Sequence, residues 1–121
     1  MVNMSDNMKS WEGHPYINLE EGLGRLRGNK KIYKTLMGTF LKNDSMTTLQ
    51  NALDNGDMDA AAAAAHTIKG MAGNLSFTAL YQCSMAQEAV IKSGGAADIS
   101  ALTMVWDETL NEVNALIPTL V

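Results

Sequence analysis

A chain of 121 residues, 46% of them hydrophobic, is long enough to bury one core, too short for two, and too apolar to be disordered. Its net charge is −4 and its longest basic run is Lys30-Lys31, which disfavours a nucleic-acid partner because phosphate neutralisation needs a concentrated positive patch. No apolar run approaches the ~20 residues needed to cross a bilayer, so no membrane partner is expected.

Residues 1–16 read as a loose N-terminal arm, and 17–121 as a single helical domain. Met1 to Ser10 is polar and lacks the apolar stretch of a signal peptide, so a cytoplasmic location is expected. Asn18 can cap a short helix over Leu19 to Arg27, with Glu20 and Glu21 placed to suit the helix dipole and Gly28 just past its end. Asn29 can cap a second helix, whose apolar set Ile32, Tyr33, Leu36, Met37 and Phe40 fits a 3.6-residue period. A later set, Met46, Leu49, Ala52 and Leu53, falls on the opposite side of the same wheel. One long helix that changes packing partner is expected, the other option being a bend near Asn43-Asp44-Ser45. Asp54-Asn55-Gly56 stops it.

Asp57 caps a third helix that runs through Ala60 to Ala65 and on to about Gly73 or Leu75. Ser76 can cap a fourth, with the stripe Leu80, Cys83, Gln87, Val90 and Ile91, ended by Ser93-Gly94-Gly95. A fifth starts at Asp98 or a neighbour and presents Leu102, Val105, Trp106, Thr109, Val113, Leu116, Ile117 and Leu120 on one face. Short connections between amphipathic helices predict antiparallel neighbours. The expected fold is all-α: an antiparallel four-helix bundle with a short additional N-terminal helix.

The third helix is the informative one. On a helical wheel, Lys69, Gly70, Gly73, Asp59, Ala62 and Ala63 lie within about 60° of His66. The other side carries Ala61, Ala64, Ala65, Ile68, Met71, Ala72 and Leu75, an apolar core stripe. His66 therefore points away from the core. Glycine inside a helix costs roughly 1 kcal/mol against alanine, so Gly70 and Gly73 on the histidine's face suggest close approach by another molecule. Imidazole is largely neutral near pH 7 and is then a competent nucleophile, and Lys69 adds a cation one turn away.

The turn near Leu75-Ser76 brings His66 level with about Met85 on the next helix. Ser84, Gln87 and Glu88 are the polar residues there. Either Gln87 or Glu88 can accept a hydrogen bond from one ring nitrogen and leave the other free to attack.

A metal centre is not expected. The only cysteine is Cys83 and the only histidines are His14 and His66, so zinc would need several carboxylates converging on them. The nine methionines are scattered and suit core filling.

The run His66-Thr67-Ile68-Lys69-Gly70-Met71-Ala72-Gly73-Asn74-Leu75, followed by Leu80, resembles the phosphorylation-site helix of histidine-containing phosphotransfer (HPt) domains. Gly22-Leu23-Gly24-Arg25-Leu26-Arg27-Gly28-Asn29, then Tyr33, Leu36 and Phe40, resembles that family's first helices, and Ala52-Leu53 and Gly56-Asp57 sit where such proteins enter the site helix. The resemblance spans about residues 17–92. It implies a phosphoaccepting His66 on the bundle surface, with Lys69, Gly70 and Gly73 as its immediate surroundings. One departure is Ser76, where the family often has glycine, followed by Phe77, where a small residue is common.

The resemblance further implies a phosphorelay carrier without ATP-dependent kinase activity of its own. His66 would take a phosphoryl group from a receiver-domain aspartate and pass it to another receiver, those partners belonging to a hybrid sensor kinase and a downstream regulator. Magnesium would sit on the receiver, with no cofactor held by this chain. A monomer is expected because no apolar stripe is left over; the initial methionine and compact length favour a stand-alone protein, while the sequence leaves open a piece cut from a larger kinase. Two rivals differ in class. A receiver-binding module that carries no phosphate would keep the bundle and docking face, but the intact His66 and Lys69 argue against it. A helical metalloenzyme would need Glu-x-x-His pairs on facing helices, and none is present.

Overall fold

The computed structural model describes residues 15–120, so most of the arm expected over 1–16 lies outside the described residues. Helix α1 spans Leu19–Arg25, α2 Lys30–Leu41, α3 Ser45–Asp54, α4 Met58–Leu75, α5 Thr78–Lys92 and α6 Ser100–Leu116, with a closing 3₁₀ turn at Ile117–Thr119. No strand occurs among the described residues. The broken pair α2–α3, then α4, α5 and α6, form the four legs of the bundle, and α1 is the short extra helix.

Three helices start where a side chain can satisfy an orphan backbone donor. Asn18 Oδ1 accepts from the Glu21 amide at 3.2 Å, Asn29 Oδ1 from Ile32 at 3.0 Å, and Asp57 Oδ1 from Ala60 at 3.1 Å. The first helix stops two residues before the expected end. Arg27 and Gly28 both take positive φ (55° and 78°), and the Gly28 amide reaches back to the Leu23 carbonyl at 2.7 Å.

The second helix is not the continuous one expected. It breaks at residues 42–44 because the amides of Lys42 and Asn43 bond three residues back, to Thr39 and Phe40. Asn43 Oδ1 then takes the Ser45 amide at 2.8 Å, a local side-chain bond that competes with the helical ladder. The two opposed apolar sets are thus resolved by interruption. Tyr33, Met37 and Phe40 bury from α2, Leu49 and Ala52 from α3, while Ile32 and Leu36 stay exposed.

The core is closed by an aromatic group that draws on three elements. Phe40 of α2 meets Phe77 edge-on at 4.9 Å between ring centroids and Trp106 of α6 at 4.8 Å. Helix α4 contributes Ala61, Ala64, Ala65, Ile68, Ala72 and Leu75, and its small side chains let both α3 and α5 lie close. The face opposite this stripe is left for the site.

The α4–α5 turn fixes the register of those two helices, and the N-terminal segment braces it. Ser76 does not cap α5; it ends α4 in the left-handed region (φ 58°), and Phe77 precedes α5 without a side-chain cap. That conformation disfavours any residue with a Cβ by about 1–2 kcal/mol, a cost that glycine would not carry. Here two hydrogen bonds hold the serine itself and a third braces the start of α5 just after it. Arg25 Nε donates to Ser76 Oγ at 3.1 Å, the Asn18 amide donates to the Ser76 carbonyl at 2.8 Å, and the Ala79 amide donates to Pro15 at 3.1 Å. Pro15 and Tyr16 are accordingly docked on the bundle, unlike the loose ending expected for the arm.

Tyr33 links α2 to the same turn through a 2.6 Å bond from its hydroxyl to the Leu75 carbonyl. Gly22 makes this contact possible, since a Cβ there would lie 2.3 Å from Tyr33 Oη. Gly22→Ala should therefore lower unfolding stability in urea by about 1–3 kcal/mol, and Tyr33→Phe by about 1 kcal/mol. An unchanged Gly22→Ala midpoint would mean that the Tyr33 ring can leave Leu75 without penalty.

Candidate functional site

His66 sits in the middle of α4 with 66% of its side chain exposed. The core stripe lies on the other side of the helix, as the wheel predicts. On its own face Ala63 and Gly70 are exposed, while Ala62, Lys69 and Gly73 are half-buried.

Facing it from α5 is Glu88, only 3% exposed. Its Oε2 lies 3.0 Å from His66 Nδ1. Lys69 Nζ, on the histidine's own helix, is 2.7 Å from Glu88 Oε1, and Lys92 Nζ, one turn along α5, is 2.8 Å from Oε2. One buried carboxylate thus gathers three nitrogen groups. Burial pushes the Glu88 carboxyl up, but the hydrogen bonds from Lys69, Lys92 and His66 outweigh it and hold it down at about 2. At neutral pH the group is a carboxylate and can only accept hydrogen bonds. Nδ1 must then be the ring's donor. When the ring is neutral this arrangement leaves its lone pair on Nε2, for which no protein partner appears among the described residues.

Of the two orienting candidates, the geometry brings Glu88 and not Gln87 to the ring. Gln87 is half-buried, and its Oε1 is enclosed without a hydrogen-bond partner among the described residues. Ser84, at the same level, turns inward and donates to the Leu80 carbonyl at 2.7 Å. Lys69 is anchored on Glu88 rather than free in solvent. Lys92 was not anticipated, although Glu88 and Lys92 at i, i+4 in the favourable order are a readable signal for a pair on one face.

The two glycines near His66 differ. A Cβ on Gly70 would meet nothing within 4 Å, so no internal contact requires glycine there. A Cβ on Gly73 would press the Tyr81 ring at 3.2 and 3.3 Å. The small size of Gly73 thus has a use in the packing of α4 against α5 as well, whereas Gly70 has no such internal use.

Beside the site helix runs an apolar cleft of about 650 Å³, with Leu36 and Thr39 on one wall and Thr67 and Met71 on the other. Among the described residues no group of three or more His, Cys, Asp or Glu side chains is placed to hold a metal ion, and no helix is long and apolar enough to cross a membrane.

The family model described as Hpt domain matches residues 43–116, more than half of the chain. Comparison with curated proteins and with solved structures gives no match.

Because the Glu88 carboxyl is lowered in the folded state, the stability it contributes is present above its ordinary value of 4.5 and is lost as pH falls towards about 2. Glu88→Gln should remove that dependence. The stability gap between wild type and Glu88→Gln, measured by urea denaturation at several pH values, should shrink by up to about 3 kcal/mol between pH 5 and pH 2. A gap that stays constant over this range would show that the lysines do not hold the carboxylate.

Proposed function

We propose that this chain, which belongs to the Hpt domain family, carries a phosphoryl group on Nε2 of His66 between the receiver domains of two response-regulator proteins. Membership of the family gives it a histidine phosphotransfer role in two-component signalling, as a phosphocarrier rather than a kinase, with receiver domains as its partners. The observation that carries the finer reading is the buried Glu88 carboxylate at 3.0 Å from His66 Nδ1, which leaves Nε2 as the nucleophile.

The Nε2 lone pair attacks the phosphorus of a receiver's aspartyl phosphate, an N–P bond forms, and the P–O bond to the aspartate breaks with its electron pair staying on the departing carboxylate. Nδ1 keeps its proton. The ring gains positive charge as the N–P bond forms, and the Glu88 carboxylate 3.0 Å away stabilises that charge in the transition state. Transfer to a second receiver is the same step reversed. Magnesium bound to the receiver would supply charge neutralisation on the phosphoryl oxygens.

Access supports the same reading. Gly70 keeps the surface low one turn from His66, and the cleft between Leu36 and Met71 offers apolar surface beside it for a modest transient interface. A donor receiver on a hybrid sensor kinase, an accepting receiver on a downstream regulator, a monomeric carrier and a cytoplasmic setting complete the proposal.

Incubation with a receiver carrying labelled phosphate should transfer acid-labile, alkali-stable label to the wild-type chain and none to His66→Gln. Label on His66→Gln equal to wild type would overturn the assignment. Gly70→Ala separates access from folding. It should stabilise the helix by up to about 1 kcal/mol, yet slow transfer from the receiver at least several-fold. Unimpaired transfer in a stabilised Gly70→Ala protein would remove the docking role of that position.

A further inference from the structure

One group at the site, Lys92, has a position that phosphotransfer itself does not use. Glu88 supplies one negative charge, and Lys69 alone would neutralise it from Oε1. Oε2, the oxygen that faces the histidine, is held by a second cation, Lys92, at 2.8 Å. With the ring neutral, the cluster carries a net charge of +1 from one glutamate and two lysines.

A bare carboxylate 3.0 Å from an imidazole favours the imidazolium, because opposite charges at that distance stabilise each other. An imidazolium has no lone pair on Nε2 and cannot attack phosphorus. The orienting group therefore carries a hazard: the same negative charge that fixes the ring tends to protonate it. A neutral amide in place of Glu88 would avoid the hazard but would stabilise the developing ring charge less. A cation on the oxygen that faces the ring offers a third arrangement.

We propose that Lys92 is a positioning residue for His66: by sharing Glu88 Oε2 with the ring, it keeps the carboxylate as an acceptor for Nδ1–H while preventing it from drawing a second proton onto Nε2. This rests on His66 being the phosphoryl acceptor.

The other charged groups near α4 do not take this role. Lys69 holds the far oxygen, Oε1. Asp54, the one charged side chain of α3, accepts from Gln50 at 3.2 Å and lines a separate cleft with Asp98 and Ser100. Lys30, Lys31 and Lys34 of α2 and Asp59 at the start of α4 form no ion pair with the cluster among the described residues. Lys92 itself is 61% exposed, so its replacement should leave the fold intact.

The test uses the whole chain, ¹⁵N-labelled, as wild type, Lys92→Met and Lys92→Arg. The ring nitrogens of His66 are followed by NMR against pH, with His66→Gln identifying the signals. In Lys92→Met the midpoint for taking up the second ring proton should rise by about half a unit to one unit, a 3- to 10-fold gain in proton affinity. Lys92→Arg should follow wild type. Transfer from a phosphorylated receiver should then slow in Lys92→Met below pH 7 and be no slower at pH 9, a split that loss of packing would not produce. A Lys92→Met ring that titrates as wild type overturns the proposal. A receiver that labels no variant, wild type included, would instead overturn the phosphotransfer reading, and the NMR titration would still decide the role of Lys92.

Discussion

Everything distinctive about this bundle turns on a carboxylate that is taken out of water. Glu88 lies between α4 and α5, 3% exposed, and an unpaired charge there would cost several kcal/mol. Three nitrogen groups offset that cost, two of them cationic. The result is a cross-link between the two helices at the level of the histidine, with the carboxylate buried and the ring exposed. Because Glu88 is charged and can only accept, the ring has one available orientation and one available tautomer. A surface histidine would ordinarily sample several rotamers and both tautomers, so the ring is held beforehand in the geometry that the proposed transfer needs.

The rest of the fold serves that cross-link by setting the register of α4 against α5. The connection between them is two residues long and pivots on Ser76 in a left-handed conformation. Backbone bonds from the Pro15–Asn18 segment, the Arg25 side chain and the Tyr33 hydroxyl converge on it. Phe77, directly after the pivot, is fully buried against Phe40. With the turn held from outside and inside, residues 22 apart in sequence, His66 and Glu88, meet within hydrogen-bond distance. The short α1, which contributes little to the core, acts as a brace on the turn.

Much of this was legible in the chain itself. Asn18, Asn29 and Asp57 announce helix starts because a short polar side chain before an amphipathic run has one favourable use. The alanine-rich stripe of α4 places His66 outside without any tertiary information. What stayed hidden depended on a choice between close alternatives. Gln87 and Glu88 are about 100° apart on one helix, and only the crossing of α4 and α5 decides which reaches the ring. The break at residues 42–44 depends on the Asn43 side chain outcompeting one helical bond, a balance of about 1 kcal/mol. Ser76 looked like a cap because serine usually caps; its positive φ came from the turn's geometry. The role of Gly73 needed the position of Tyr81, which no periodicity supplies.

The chemistry divides between the two partners of an Hpt domain. In the proposed transfer the chain would contribute a fixed, accessible nucleophile and a carboxylate to receive its developing charge, and the receiver the acyl phosphate. On the proposed function, Glu88 occupies Nδ1 and thereby directs the phosphoryl group to the other nitrogen. The most direct measurement is NMR of the phosphorylated, ¹⁵N-labelled chain, locating the phosphorus by its coupling to the ring nitrogens of His66. Phosphorus on Nε2 with a proton retained on Nδ1 is the expected result. Phosphorus on Nδ1, or on any residue other than His66, would contradict it.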